Sequence, residues 1–188
     1  MTRLVLSTCF AAFTLLAVPA IATAAPANAC ALLSEAEAGK LAGAPLAETA
    51  KHDVKPAAEN GNDSESSCGH FPKGYHIDTA DGPPNSGVLV ELHVFPAADD
   101  AKRFYDGVLR MHTQMQGGPG GGSVVMPVKG LGEGAYLLPT VLPNSTSKIS
   151  TMTFLKGSVV ASIQVWTKTG SADAIARGAA AQVLPRLH

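Results

Sequence analysis

Apolar and polar residues alternate most cleanly from Val88 to Phe95. Val88, Val90, Leu92 and Val94 fall on one side of an extended chain, and Leu89, Glu91, His93 and Phe95 on the other. A strand of this kind buries one face and leaves the other partly wet. The same period of two returns in Ile149 to Leu155 and Ser158 to Trp166, which predict a hairpin about Lys156-Gly157; Val159, Ala161, Ile163 and Val165 share one face of its second strand. Ser66 begins a strand pair broken at Pro72-Lys73-Gly74, with Phe71, Tyr75 and Ile77 as its apolar members. Ser123 to Val128 and Ala135 to Leu138 read as strands on either side of the glycine loop Lys129 to Gly134, and part of 46 to 53 adds an edge strand.

Helical signals are fewer and start abruptly. Ser34 and Glu37 form a capping box, in which the hydroxyl and the carboxylate each satisfy the other residue's backbone N–H. That helix runs to Leu41-Ala42 and stops at Gly43, the usual left-handed terminator. After Pro96, the acids Asp99 and Asp100 occupy the first turn of a second helix, where the helix dipole favours negative charge. Phe104, Val108, Met111 or His112, and Met115 repeat at helical spacing, and the run ends near Gln116 before the glycines of 117 to 122. Ser171 caps a last helix with Asp173 in its first turn and a stripe of Ile175, Ala179, Val183 and Leu184.

These elements predict an α+β fold: a twisted antiparallel sheet of about five to seven strands with helices packed mainly on one face. A β-sandwich with peripheral helices is the alternative. Strand, strand, helix occurs over 66 to 116 and again over 148 to 187, a candidate ββα pseudo-repeat. The predicted core is Leu33, Leu41, Val90, Leu92, Val94, Phe104, Val108, Ile163, Val165 and Val183.

The N-terminus changes the picture. Arg3 precedes an apolar run, Leu4 to Val18, and Ala22-Thr23-Ala24 and Ala27-Asn28-Ala29 both fit small-x-small cleavage. Residues 1–24 therefore read as a secretory signal peptide, with cleavage at 29 as the alternative, and 25–188 as one exported domain. Removing it also removes Cys9, so Cys30 and Cys68 remain as an even pair in a disulfide-permissive compartment and are expected to join. Lipidation of Cys30 is the alternative, although Ala27 and Asn28 fit a lipobox poorly and Cys68 would be left a lone thiol. Arg3 is the leader's only charge, so the remainder carries 13 Lys plus Arg (14 less Arg3) against 15 Asp plus Glu, a net −2. No basic block exists, which argues against nucleic acid, and no second apolar run is long enough to span a bilayer.

Motifs for chemistry are sparse. The glycines of 117 to 122 lack a Gly-Lys-Ser/Thr ending, and Gly130-Leu131-Gly132-Glu133-Gly134 has the wrong spacing for a dinucleotide fingerprint, so left-handed turn geometry is their role. No G-x-S-x-G and no H-E-x-x-H occurs. His70, His76 and His93 are the candidate metal ligands, and with them a metal-dependent hydrolase is the alternative function; Met111, His112 and Met115 are a second candidate soft site. Asn62-Asp63-Ser64 and Asn144-Ser145-Thr146 match the glycosylation pattern. Catalytic residues and cofactors are expected to be absent.

Cys30-Ala31-Leu32-Leu33, Ser67-Cys68 and Gly130-Leu131-Gly132-Glu133-Gly134-Ala135-Tyr136 resemble the pattern of small exported bacterial domains and lipoproteins of unknown function. Those begin Cys-x-Leu-Leu, carry a second Cys and place a Gly-Leu-Gly-Asp/Glu-x-Ala turn before a strand; their kin include extracellular sensor domains of some bacterial receptor kinases. The resemblance implies an α+β fold and a non-catalytic envelope module that binds a small ligand or another envelope protein.

Overall fold

The computed structural model describes residues 28–55, 64–75, 83–115, 123–141 and 145–187. The predicted signal segment, the glycines of 117 to 122, His76, Ile77, and the asparagines Asn62 and Asn144 lie outside the described residues.

Among the described residues seven strands make one antiparallel sheet: β1 (Ala47–Lys55), β2 (Ser64–Phe71), β3 (Ser86–Val94), β4 (Met126–Pro127), β5 (Gly134–Val141), β6 (Lys148–Lys156) and β7 (Val159–Thr167). Their order across the sheet is β1-β2-β3-β7-β6-β5-β4, so β3 and β7 sit side by side at the centre. The helices are α1 (Ala29–Leu32), α2 (Glu35–Ala42), α3 (Ala98–Gln114) and α4 (Ala172–Val183), followed by a 3-10 turn at Leu184–Arg186. The fold is α+β.

The two faces of the sheet are finished differently. On the first, Val88, Val90, Leu92, Ile163, Val165, Met152, Phe154 and Leu137 are all fully buried beneath α1, α2 and α4. Each such side chain contributes about 1.5–3 kcal/mol by leaving water. The helix α4 comes close because it offers small residues, Ala172, Ala176, Ala179 and Ala180, with Val183 at its end. Of the predicted core, Leu33, Val90, Leu92, Ile163, Val165 and Val183 are buried here, and Leu41 and Val94 pack at its margin.

Among the described residues, α3 is the one helix on the second face. Ala101 and Tyr105 from that helix pack on Tyr136, Leu155 and Val160, with Phe104 and Val108 partly buried beside them. Phe104 and Val108 thus belong to a second, smaller core. The strand-strand-helix order does occur twice, but α3 and α4 lie on opposite faces, so no two-fold operation relates the two occurrences. Met111 and Met115, read from their spacing as core or as soft ligands, are 48% and 68% exposed.

Helix α2 begins with the full capping box of Ser34 and Glu37 and ends at Gly43, whose φ of 65° is left-handed. The Glu37 carboxylate has a second duty. It accepts from Arg186 at the far end of the chain, 3.0 Å from Nη1, while the same nitrogen donates to the Leu32 carbonyl at 2.7 Å. The Arg186 guanidinium, helped by the Ser34 donors, holds the Glu37 carboxyl down at about 2. Ala29 is fully buried, and its N–H donates to the Ser66 hydroxyl at 3.1 Å. A bond between Cys30 and Cys68 sits beside that contact, with the two Cα atoms 5.0 Å apart. It ties α1 to β2, the second strand in from the edge. Along the loop the bond closes, 56–63 lies outside the described residues and β1 is an edge strand.

The motif Gly130 to Gly134 is structural. Gly130 and Gly132 have φ of 80° and 60°, the left-handed geometry expected of them. A Cβ on Gly132 would lie 2.1 Å from the Leu155 carbonyl oxygen. Glu133 then accepts the Gly157 N–H at 2.7 Å and donates its own N–H to Leu155 at 2.8 Å. The segment thereby locks the β6–β7 turn to the start of β5.

Two outcomes check this account. Replacing Cys30 and Cys68 by Ser, which opens a loop spanning 38 positions, should lower stability by about 4 kcal/mol in urea unfolding. Gly132→Ala should cost at least about 2 kcal/mol, since it adds a clash to the left-handed strain, whereas Gly130→Ala, with open space around it, should cost only about 1 kcal/mol. Equal losses at the two glycines would contradict the close approach to Leu155.

Candidate functional site: a polar groove beside helix α3

Strand register decides which side chains meet on the second face. Glu91 pairs with Ser162, Ser162 with Thr153, and Thr153 with Tyr136, so four polar residues form one row across β3, β7, β6 and β5. The next row is Leu89, Gln164, Thr151 and Leu138. On one side of these rows lie His93, Val160 and Leu155, the last two beneath α3. On the other side lies an aromatic cluster of Phe71, Tyr75, Leu89, Ile149 and Trp166. Gly87 is required there: a Cβ would fall 2.4 Å from the Phe71 ring. Because α3 covers only part of the sheet, a groove of about 350 Å³ opens between them, with Phe104, Val108 and His112 as its helical wall.

The first polar row is bonded internally. Thr153 Oγ1 and Ser162 Oγ are 3.1 Å apart, Thr153 also bonds the Tyr136 phenol, and the phenol oxygen lies 3.1 Å from His112 Nδ1. The chain runs from α3 across three strands and satisfies groups that would otherwise be buried without partners. Tyr136 is almost wholly buried, and burial pushes its phenol up. Burial and the neighbouring Tyr136 push Tyr105 up to about 12. Both stay neutral at physiological pH. Burial pulls His112 below its ordinary 6.5, so the neutral ring is the favoured form. Thr151 and Gln164 face the groove without a side-chain hydrogen bond to another described residue.

The sequence-predicted metal ligands do not converge. His70 shares the first face with Cys68, is 1% exposed, and places Nε2 2.9 Å from the Leu33 carbonyl, where a protonated Nε2 donates. His93 lies on the opposite face, in the groove, packed 4.7 Å from the Phe104 ring. Side chains an odd number of register steps apart point to opposite sides of a sheet, and this separates the two histidines. Among the described residues no group of three or more His, Cys, Asp or Glu side chains is placed to hold a metal ion. His112 is likewise no member of a methionine site: it turns inward to Tyr136 while Met111 and Met115 face out. The groove residues Thr151, Thr153, Ser162 and Gln164 were absent from the sequence reading. Their signal was present, as the polar pairs Thr151/Thr153 and Ser162/Gln164, each spaced by two in the middle of β6 and β7.

No family profile and no curated protein sequence matches the chain. A solved structure does. The extracellular domain of PknH from Mycobacterium tuberculosis is similar with a TM-score of 0.62, over 84% of this chain and 93% of that one, at 12% identity. At that identity the likeness is one of fold.

Tyr136→Phe should cost about 1–2 kcal/mol, because His112 and Thr153 each lose a buried partner. The His112 shift sets the sign of a pH effect. Its folded pKa is below the unfolded value, so between the two the unfolded chain binds more protons and stability falls as pH drops below about 6.5. His112→Gln should flatten part of that limb in urea titrations at several pH values. A limb unchanged by the substitution would contradict a buried, neutral ring.

Proposed function

We propose that the chain is a non-catalytic module of the bacterial cell envelope, exported by residues 1–24, which binds a small ligand in the groove between α3 and the sheet. The observation that carries the reading is the extent of the fold likeness, which takes in nearly all of a domain that is itself extracellular. Three further features support it. The apolar run Leu4 to Val18 behind Arg3 suits an export signal. A cysteine bond suits an oxidising compartment. Among the described residues no helix is long and apolar enough to cross a membrane.

The structure also bears on where the leader ends. Ala29 is fully buried and bonded through its N–H to Ser66, and the Asn28 side chain caps α1 by accepting from Cys30. Cleavage after Ala29 would strip both from the fold, so Ala24 is the cut we favour, leaving 25–188 as the exported domain. The bond from Cys30 to Cys68 uses the sulfur that a lipid thioether would need, which favours a free periplasmic or secreted form over an anchored one. Another envelope protein is the alternative partner.

Fractionation of a producing bacterium checks the export half. Mass spectrometry should find an N-terminus at Ala25 and a peptide linking Cys30 to Cys68 in periplasmic or culture fractions. An intact leader in the cytosol, or a diacylglycerol mass on Cys30, would overturn it. A thermal-shift screen of water-soluble metabolites checks the binding half: a compound that stabilises the wild type should stabilise Gln164→Leu less. Equal stabilisation of both would place the site elsewhere.

A further inference from the structure

Resting on the groove as a small-ligand site, we infer that its ligand is a neutral carbohydrate, held through its hydroxyls by Glu91, Thr151 and Gln164 against the wall that Phe104 provides. The argument is one of matched chemistry. Among the described residues no Lys or Arg lines the groove while Glu91 does, so a phosphate or a carboxylate would meet a carboxylate with no fixed cation beside it. An apolar ligand is disfavoured as well, since it would cover Thr151 and Gln164 and leave their polar atoms desolvated and unpaired.

A polyhydroxyl ligand fits both facts. Thr151 and Gln164 are direct cross-strand partners, which puts them about 5 Å apart, and Glu91 lies one strand over and one row along, opposite Ser162. A hydroxyl can donate and accept, an amide offers one acceptor and two donors on a plane, and a carboxylate has about four lone-pair sites. That last count means an existing partner of Glu91 does not exhaust it. Sugar hydroxyls on neighbouring carbons present paired donors and acceptors at this scale, while the C–H face of the ring packs on apolar or aromatic surface. Phe104, braced by Phe95 at 5.2 Å and by His93 at 4.7 Å, supplies such a surface at a fixed angle. The floor is also set in advance, because Thr153 and Ser162 hold each other. At about 350 Å³ the groove is at the small end of ligand sites, the size for one or two sugar rings rather than a long chain.

A larger cavity, about 500 Å³ at the start of α4, does not compete. Most of its polar groups, and both of its charged ones, are engaged within the fold: Ser147 donates to the Pro84 carbonyl, Lys148 to the Gly170 carbonyl, Asp173 accepts from Ser150, and Ser171 caps Ala174.

Amide NMR on the ¹⁵N-labelled mature chain tests the inference, with glucose, N-acetylglucosamine and trehalose as carbohydrate probes, spermidine as a cation and hexanoate as an apolar anion. Each is used at about 20 mM, enough to detect millimolar dissociation constants. At least one sugar should move the amides of Thr151, Thr153, Ser162 and Gln164 and leave those around Ser171 in place. In Thr151→Val/Gln164→Leu the affinity should drop at least about tenfold, and the ligand-free spectrum beyond the groove reports that the fold is kept. Gln164→Leu alone serves if the double variant does not fold. If spermidine or hexanoate moves these amides and no sugar does, the carbohydrate assignment is wrong while the groove remains a ligand site. If no probe moves them, both readings fall. A sugar response undiminished in the variants would also overturn the assignment.

Discussion

The antiparallel pairing of β3 with β7 is the contact on which the rest of the molecule depends. Among the described strands it is the seam between the N-terminal β1 and β2 and the C-terminal set β4, β5 and β6. Nine residue pairs run from Ser86 opposite Thr167 to Val94 opposite Val159 without a break. Because side chains alternate, a slip of one residue would turn a whole strand over. Val90 and Leu92 would exchange faces with Glu91 and His93, burying a carboxylate in the main core. The apolar face therefore sets the register, and the register in turn lines up the polar rows on the other side.

The two faces answer the same constraint with different means. The first is closed by three helices and a cysteine bond, with alanines letting α4 approach closely. Its periphery is tied by Arg186, which joins the last turn of the chain to the Leu32 carbonyl and the Glu37 carboxylate near its start. Among the described residues, the second face has a single helix over a sheet wider than it can cover. The exposed part is not apolar, which would invite association. It carries hydroxyls, an amide, a carboxylate and imidazoles, and the buried end of that polar row is satisfied by the His112–Tyr136–Thr153–Ser162 chain. A half-covered sheet with a bonded polar row is stable and open at once.

The glycine motif shows how a conspicuous sequence feature is absorbed by architecture. Gly132 passes against the Leu155 carbonyl and Glu133 reaches the Gly157 N–H. Its residue types answer to backbone geometry. His70 is a parallel case: a histidine near other histidines in sequence turns out to hold a backbone carbonyl between α1 and α2.

Much of the fold was legible because its signals are local. The alternation over 88–95 and 158–166, the Ser34–Glu37 box, the Gly43 stop and the Ser171 cap each depend on neighbours a few residues away, and each element formed where its pattern placed it. Less was legible where the deciding contacts are remote. The short β4, the four-residue α1 and the full extent of β1 depend on the partners they meet rather than on periodicity. The sequence alone determined the longer elements, the α+β class and the off-face polarity of β3. Tertiary structure decided that α3 crosses to the second face, that His70 and His93 part company, and that Glu91, Ser162, Thr153 and Tyr136 form one row. The reason is physical: periodicity is fixed by bonds and dihedrals along the chain, whereas register and the face a helix takes are set by which apolar surfaces bury each other, and those surfaces lie tens of residues apart.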